Sequence, residues 1–192
     1  MERMTAAQYR ASIQGKVNRA QGLAFEEIVN GACEYYKLTG EAFIEKTPEP
    51  MKILGAIDRQ RGIFKAVFEK DAQPDYKGTM KGGRAVCFDA KYTQTDRIEQ
   101  KAVTEEQWNA LDLHEAMGAW CFILVSLNWK YYRVPWEKWK TMKEDCGHKY
   151  MNADDLSPYL LAAWPAQLRF LANPRNIPEH VPVANQSNQQ QP

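Results

Sequence analysis

Apolar positions in the first part of the chain recur at the spacing of an amphipathic helix. Between Gln14 and about Leu38 they fall three and four residues apart, and Gly40 follows as a stop signal. The stretch EAFIEK at residues 41–46 has the character of a strand, and the sequence TPEP at residues 47–50 then forces an extended turn. The pattern therefore predicts one long helix, a strand and an excursion of the chain.

The stretch QPDYKGTMKGGRAVCFDAKY, residues 73–92, has the pattern of two short strands joined at Lys81-Gly82-Gly83. The two glycines supply the positive φ angles that tight hairpins need. Side chains alternate across a strand, so we expect Asp89 and Lys91 to project from one face of the second strand while apolar residues pack against the other. The pattern predicts a hairpin with one apolar face and one reactive face.

A capping box opens the next predicted helix. Thr104 stands at the N-cap and Gln107 three residues later, which predicts a helix from about residue 104 to 117. The apolar run WCFILVSL at residues 120–127 suits a central strand, residues 131–134 have the pattern of its hairpin neighbour, and a short helix begins near Pro135. This order of elements predicts an α/β or α+β fold with a mixed central sheet flanked by helices.

Composition favours a single globular domain. The chain has 192 residues, of which 44% are hydrophobic and 26% charged, and we expect residues 1–173 to form one domain. After Asn173 the composition changes to Pro, Asn and Gln, and the end ANQSNQQQP has no charge and almost no apolar side chain, so we expect residues 174–192 to form a disordered tail. No apolar run approaches the roughly 18 residues that cross a bilayer, and the N-terminal sequence lacks a secretory signal. We therefore expect a cytoplasmic protein without a membrane partner.

The cysteines do not predict a zinc centre. Four are present and none forms a CxxC pair, so we expect reduced packing residues. A zinc site built on Cys146 and His148 would lack a matching second pair of ligands.

Two basic segments stand out against a net charge of only +1. Residues 52–70 carry five basic residues against two acidic ones, a local charge of +3, and form either a solvated hairpin or a DNA contact. The second segment lies within residues 129–143 and either lines a phosphate groove or caps the core. Its tryptophans favour a place in the core. Its residues are Trp129, Lys130, Arg133, Trp136, Lys138, Trp139, Lys140 and Lys143.

The predicted hairpin also carries the candidate chemistry. Asp75 lies near the start of the first strand, where the hairpin can bring it beside Asp89. Two carboxylates at short range repel each other unless a cation holds them together, and ligands that are all oxygen favour Mg²⁺ or Mn²⁺. Lys91 could orient or deprotonate a water or stabilise charge on a phosphate, and either Glu26 or Glu27 of the first helix could reach the same site. The residues predict metal-assisted phosphodiester hydrolysis.

The motif PD at residues 74–75, followed by DAK at residues 89–91, resembles the PD-(D/E)xK nuclease superfamily. The surrounding sequence resembles the RecU family of Holliday junction resolvases, which includes phage-encoded members, over most of residues 21–142. That resemblance implies a restriction-endonuclease-like fold, a symmetric homodimer, branched DNA as partner and the cytoplasm of a bacterium or of a phage-infected host. Aspartate stands in the DAK triplet where several relatives have glutamate, which shortens the reach to a metal but keeps the ligand type.

The resemblance also implies roles for individual residues. A stalk at about residues 58–70 would enter the centre of the junction. The implied catalytic residues are Glu26, Asp75, Asp89, Lys91 and Gln107. The implied ligands of Mg²⁺, for which Mn²⁺ can substitute, are Glu26, Asp75, Asp89 and Ala90. The implied DNA contacts are Arg59, Arg61, Lys65, Lys77 and Lys81.

Simpler roles exist for each of these residues taken alone. Asp75 could begin a turn, Asp89 and Lys91 could form an exposed cross-strand pair, and the capping box by itself explains a glutamine at position 107. We nevertheless predict a homodimeric, Mg²⁺-dependent endonuclease that cuts four-way junctions by paired symmetric nicks. The alternatives are another PD-(D/E)xK nuclease acting on duplex or flap DNA, and a DNA-binding recombination accessory protein without catalysis.

Overall fold

The computed structural model describes residues 6–48, 50–68, 73–161, 163–164 and 167–172. The tail expected at residues 174–192 and Lys70 of the basic excursion lie outside these residues. The helices are α1 (Ala6–Thr39), α2 (Glu105–Ala116), α3 (Trp136–Lys140), α4 (Met142–Cys146) and α5 (Ala153–Leu156). The strands are β1 (Ala42–Lys46), β2 (Met51–Asp58), β3 (Ile63–Phe68), β4 (Tyr76–Met80), β5 (Ala85–Thr93), β6 (Arg97–Glu99), β7 (Trp120–Leu127), β8 (Lys130–Pro135), β9 (Tyr150–Asn152), β10 (Ala163–Trp164) and β11 (Gln167–Leu168).

The central sheet has five strands in the order β1-β4-β5-β7-β8. Strands β5 and β7 are parallel, and the other neighbouring pairs are antiparallel. A parallel pair needs a crossover connection, and α2 provides the helix of that crossover between β5 and β7. The α/β class, with a mixed central sheet flanked by helices, is confirmed.

Both faces of the sheet are covered. On one face Val86 and Phe88 of β5 pack with Phe25 and Val29 of α1, and the rings of Phe88 and Phe122 stack 4.7 Å apart. On the other face the core includes buried residues of β5, β7, α2 and α3, namely Cys87, Ile123, Val125, Leu111, Trp136 and Trp139. Cys87 lies on the same face of β5 as Asp89 and Lys91, and it is part of this second core. The reactive face of β5 is therefore covered by protein, although the alternation alone would also allow it to face solvent.

Helix α1 begins earlier than the sequence pattern predicted, at Ala6 instead of Gln14. The side chains from Gln14 to Ala20 are exposed, so this part of the helix has no buried stripe that would mark it in the sequence. The helix ends at Thr39, and Gly40 follows with φ +67°, as the stop signal predicted.

Strands β2 and β3 form a separate antiparallel hairpin from Met51 to Phe68, which covers most of the excursion expected at residues 52–70. Its apolar side chains from Met51 to Val67 are exposed; Ile53 is 62% exposed and Ile57 is 69% exposed. A hairpin that does not bury its own apolar residues is suited to contact another molecule.

Glycines are needed at two places in the central sheet. A Cβ on Gly78 of β4 would lie 2.1 Å from the carbonyl oxygen of Phe43, so only glycine permits β1 to lie this close to β4. Gly82 and Gly83 have φ angles of +95° and +90°, and they form the β4–β5 turn at the predicted position.

The tryptophans divide between the core and the surface. Trp136 and Trp139 are fully buried, as predicted. Trp129 is 46% exposed, so its assignment to the core was wrong; it lies in the β7–β8 turn, beyond the buried part of the strand.

The cysteines are all free thiols, as expected. No helix among the described residues is long and apolar enough to cross a membrane.

Candidate active site

The β4–β5 hairpin brings Asp75 and Asp89 together at its open end. The antiparallel register pairs Tyr76 with Phe88, and Asp75 immediately precedes β4. The backbone N–H of Asp75 donates to Oδ1 of Asp89 over 2.8 Å, and the N–H of Ala90 donates to Oδ2 of Asp75 over 3.1 Å. Each carboxylate is thus oriented by the backbone beside the other.

The Ala90 carbonyl is directed at the same edge. The Ala90 N–H faces the β4 side, since it donates to Asp75, and within a strand the N–H and C=O of one residue point to the same side. When the register is continued two residues past Tyr76, Pro74 stands opposite Ala90, and a proline has no N–H to donate. The carbonyl oxygen therefore points to the β4 side, where the opposite position offers no ladder donor.

Lys91 lies at the centre of the charged cluster. Its Nζ is 3.3 Å from Oδ2 of Asp89 and 3.6 Å from Oδ2 of Asp75, and it donates a hydrogen bond to Oε1 of Gln107 over 3.0 Å. The Lys91 side chain is only 17% exposed. An ammonium group held by three oxygens in a largely buried position is fixed in place instead of sampling solvent.

Gln107 caps α2, as the sequence predicted, and also contacts the acidic cluster. It completes the capping box of α2, because its Oε1 accepts from the N–H of Thr104 and its own N–H donates to Oγ1 of Thr104. Its Nε2 also donates to Oδ1 of Asp75 over 3.2 Å. The same amide group therefore caps α2 and joins the helix to the acidic cluster.

Asp89 is fully buried and incompletely hydrogen-bonded. Burial raises the pKa of Asp89 to about 6; the Lys91 ammonium opposes the rise and the Asp75 carboxylate adds to it. Oδ2 of Asp89 has no hydrogen-bond donor among the described residues, although Lys91 lies within ion-pair distance. A buried carboxylate oxygen in this condition is costly unless a cation compensates it.

The oxygen donors fit a divalent metal ion. Asp75, Asp89 and the Ala90 carbonyl offer oxygen only, which is the donor set of Mg²⁺ or Mn²⁺ and not of zinc. Among the described residues no three or more His, Cys, Asp or Glu side chains are grouped to hold a metal ion together. Two carboxylates would therefore supply the anionic ligands, with waters or a substrate phosphate at the remaining positions.

Glu26 stands apart from this cluster but opens onto the same cavity. It pairs with Nζ of Lys46 at the end of β1, and it lines a cavity of about 680 Å³ together with Ala90 and Lys91. Its neighbour Glu27 is exposed and is not among the residues that line the cavity. Of the two glutamates that the sequence offered, Glu26 is the one that lines the cavity beside Lys91, and its role there stays a prediction.

The expected DNA contacts are spread over the molecule. Arg59, Arg61 and Lys65 are exposed on the β2–β3 hairpin. Lys77 lies on β4 and donates to Gln73, close to Asp75 in sequence. Lys81 lies in the turn at the other end of β4, so the structure separates it from the acidic cluster.

The second basic segment is largely satisfied within the protein. Arg133 donates to the carbonyls of Phe170 and Ala172 and lies over the ring of Trp120. Lys138 pairs with Asp145, and Lys140 pairs with Asp112 and Glu115. These contacts and the burial of Trp136 and Trp139 favour a structural role for most of the segment over a phosphate groove.

Sequence reasoning missed Lys46 and the cavity itself. Lys46 is the last residue of β1, and only the antiparallel register with β4 sets it opposite Tyr76, next to Asp75. The cavity is also lined by Gln14 and Asn18 of α1 and by residues 93–95 after Lys91. No local pattern joins these segments, since they meet through the packing of α1 against the sheet.

Two carboxylates, a lysine and a mixed sheet make up the arrangement that the PD-(D/E)xK resemblance implied. The family model described as "Recombination protein U" (RecU) matches residues 20–171. The chain therefore belongs to the RecU family.

Two relatives found by sequence agree with this assignment. The chain is 29% identical over 147 residues to the Holliday junction resolvase RecU of Bacillus pumilus (strain SAFR-032), covering 71% of this chain and 69% of that protein. It is 30% identical over 146 residues to the Holliday junction resolvase RecU of Streptococcus pneumoniae (strain Taiwan19F-14), covering 72% of this chain and 73% of that protein. Among solved structures, Hjc of Archaeoglobus fulgidus, a Holliday junction resolvase, has a TM-score of 0.45 and 10% identity over 70% of this chain and 93% of that chain.

Proposed function

We propose that this protein is a metal-dependent endodeoxyribonuclease that resolves four-way DNA junctions as a homodimer, by paired symmetric incisions. The observation that carries the proposal is the meeting of Asp75, Asp89 and Lys91 at the open end of the β4–β5 hairpin, in a chain of the RecU family. Each protomer has one nuclease domain with one such site.

Asp75, Asp89 and the Ala90 carbonyl would hold the metal ion. Oδ2 of Asp89 is buried and lies 3.3 Å from the Lys91 ammonium but accepts no hydrogen bond among the described residues, and this supports the assignment. A divalent cation bound there, Mg²⁺ or Mn²⁺, would supply a Lewis acid at the scissile phosphate and lower the pKa of the attacking water.

The side chains around that position divide the remaining work. Lys91 directs a fixed positive charge at the phosphate, where negative charge develops during hydrolysis. Gln107 holds Lys91 and Asp75 in place through its two amide atoms. Glu26, across the cavity, orients the attacking water and accepts its proton at a carboxylate oxygen, while Lys46 fixes the glutamate.

The β2–β3 hairpin would supply selectivity for branched DNA. Its basic residues Arg59, Arg61 and Lys65 are exposed and suited to phosphates, which gives affinity that depends on salt and not on sequence. Its exposed apolar side chains, including Phe64 at 47%, suit either the unstacked centre of a junction or the equivalent hairpin of a second protomer. We take this hairpin to be the stalk that enters the junction.

A plasmid with an extruded cruciform tests the paired cut. Two incisions on opposite strands within one binding event convert the supercoiled plasmid directly to linear DNA, whereas independent nicking accumulates open circles first. The proposal predicts linear product that depends on the cruciform and on Mg²⁺. Open circles from plasmids with and without the cruciform would indicate a general nuclease, and binding without any cut would indicate an accessory protein.

A further inference from the structure

A strained tryptophan lies at the β7–β8 turn. The turn consists of Asn128 and Trp129, with φ angles of 51° and 62°, between Leu127 and Lys130 of the flanking strands. Two positive φ angles define the type I′ hairpin turn, which strongly prefers glycine at its second position. A bulky residue in this conformation is strained, and strain of this kind persists where function requires the side chain.

The Trp129 ring is both anchored and accessible. Its centroid is 5.7 Å from that of Tyr92, and the two rings are tilted by 56°. Trp129 is nevertheless 46% exposed. The contact with Tyr92 therefore fixes the ring while leaving much of its surface open to another molecule.

Tyr92 links this aromatic pair to the candidate active site, although its side chain projects from the face of β5 opposite to that of Lys91. Tyr92 follows Lys91 directly and lines the same cavity as Lys91 and Glu26. The N–H of Asn128 donates to the carbonyl of Thr93, which ties the turn to the end of β5. Lys91 and Thr93 are separated by roughly 7 Å along the strand, so the turn that is bonded to Thr93 lies one or two nucleotides from Lys91.

We propose that Trp129, supported by Tyr92, is a positioning residue that stacks on an unstacked base one or two nucleotides from the scissile phosphate. An indole ring accepts any base because every base has a π-face, and stacking on aromatic side chains is a common way to hold single-stranded segments. Bases at the crossover of a four-way junction can be unstacked, whereas those in a linear duplex are not. The inference rests on the proposed junction-resolving function.

Fluorescence of 2-aminopurine tests this contact directly. The base analogue is placed in turn at each nucleotide within four of the crossover on one strand, and wild-type protein is added in EDTA so that the junction stays intact. Stacking on Trp129 quenches the fluorescence at one or two of these positions. Absence of protein-dependent quenching at all of them would overturn the inference, whether or not any variant folds.

Variants at position 129 identify the quenching group. Trp129→Gly restores the residue that the turn prefers, so the fold is retained, but quenching is lost and cleavage of the junction falls roughly tenfold. Trp129→Phe keeps a smaller ring and retains part of the quenching and part of the cleavage activity. Leu38→Ala, which removes an exposed apolar side chain at the far end of α1, serves as the matched control and changes neither.

The outcomes separate this inference from the proposed function. If wild type cuts the junction and Trp129→Gly cuts it equally well with quenching unchanged, Trp129 does not position the strand but the nuclease remains. If wild type cuts no junction, the proposed function fails, and the quenching measured without cleavage still decides whether Trp129 stacks on the base.

Discussion

Nε2 of Gln107 donates a hydrogen bond to Oδ1 of Asp75 over 3.2 Å and so links the first turn of α2 to the carboxylate that begins β4. The other atom of the same amide, Oε1, accepts from Lys91. One neutral side chain thereby fixes the positions of a carboxylate and an ammonium group that the two strands of the β4–β5 hairpin bring to its open end. Helix capping and the geometry of the site depend on the same residue.

Removal of this link should impair cleavage more than stability. Gln107→Ala leaves Lys91 and Asp75 without their shared partner, and we expect junction cleavage to fall about 10- to 100-fold. Thr104→Ala is the matched control, because it disrupts the same capping box but has no contact with the acidic cluster. The control should lose about 1 kcal/mol of stability in urea unfolding and keep its cleavage rate. Equal losses of cleavage in both variants would assign Gln107 a purely structural role.

Lys91 should be required for cutting but not for binding. Lys91→Met keeps the aliphatic stem and removes the ammonium group, so we expect the cleavage rate to fall at least about 100-fold. Junction affinity in EDTA should change by no more than about twofold, because one partly buried charge contributes little to phosphate binding. Lys143→Met, on an exposed lysine of α4, controls for the lost charge. Parallel losses of affinity and cleavage in Lys91→Met would contradict this separation.

The buried carboxylate of Asp89 should make stability depend on pH. Its pKa in the folded protein is about 6, above the ordinary value, so the protonated form is favoured by folding. The raised pKa therefore contributes to the stability of the folded protein below about pH 4, and this contribution is lost as the pH rises through 6. The loss amounts to about 3 kcal/mol in the free energy of unfolding. Asp89→Asn cannot ionise, so in EDTA its free energy of unfolding should rise relative to wild type between pH 4.5 and 7.5.

The control for this measurement is Asp96→Asn, which changes an exposed carboxylate. The difference in free energy of unfolding between Asp96→Asn and wild type should be nearly constant with pH. A constant difference for Asp89→Asn as well would mean that Asp89 titrates normally and that the site lacks the proposed desolvation.

The β2–β3 hairpin should be dispensable for folding and required for junction recognition. Ile53 and Ala66 are paired across the two strands, so residues 54–65 can be replaced by an Asn-Gly turn without a change of register. We expect circular dichroism and the melting temperature to be retained, because the hairpin's side chains are exposed. Junction cleavage should fall roughly 100-fold, since the substrate is no longer positioned. A shortened protein that resolves junctions at the wild-type rate would exclude the hairpin as the stalk.

Local signals in the sequence explain why much of the site was predictable. The alternation in β5 sets Asp89 and Lys91 on one face, and the spacing of Thr104 and Gln107 marks the start of α2. Both signals depend on neighbours within a few residues. The glycines of the β4–β5 turn then fix the register that carries Asp75 to Asp89.

Features that arise from distant contacts were not predictable in this way. Strands β6 and β9 are three residues each and pair across about fifty residues of chain, so neither has a pattern of its own. The partner of Glu26 is decided by how α1 packs against the end of β1. The exposure of Trp129 follows from the turn conformation, whereas its sequence continues an apolar run. These relationships are set by tertiary packing, which outweighs local propensity.

Cleavage of a labelled synthetic four-way junction by wild type and Asp75→Asn, beside linear duplex and flap DNA of matched sequence, tests the central claim most directly. With Mg²⁺, wild type should make paired symmetric nicks in the junction alone; EDTA or Asp75→Asn should abolish them while binding persists. Cutting of all three substrates, or junction cutting by Asp75→Asn at the wild-type rate, would contradict a junction resolvase that works through this site.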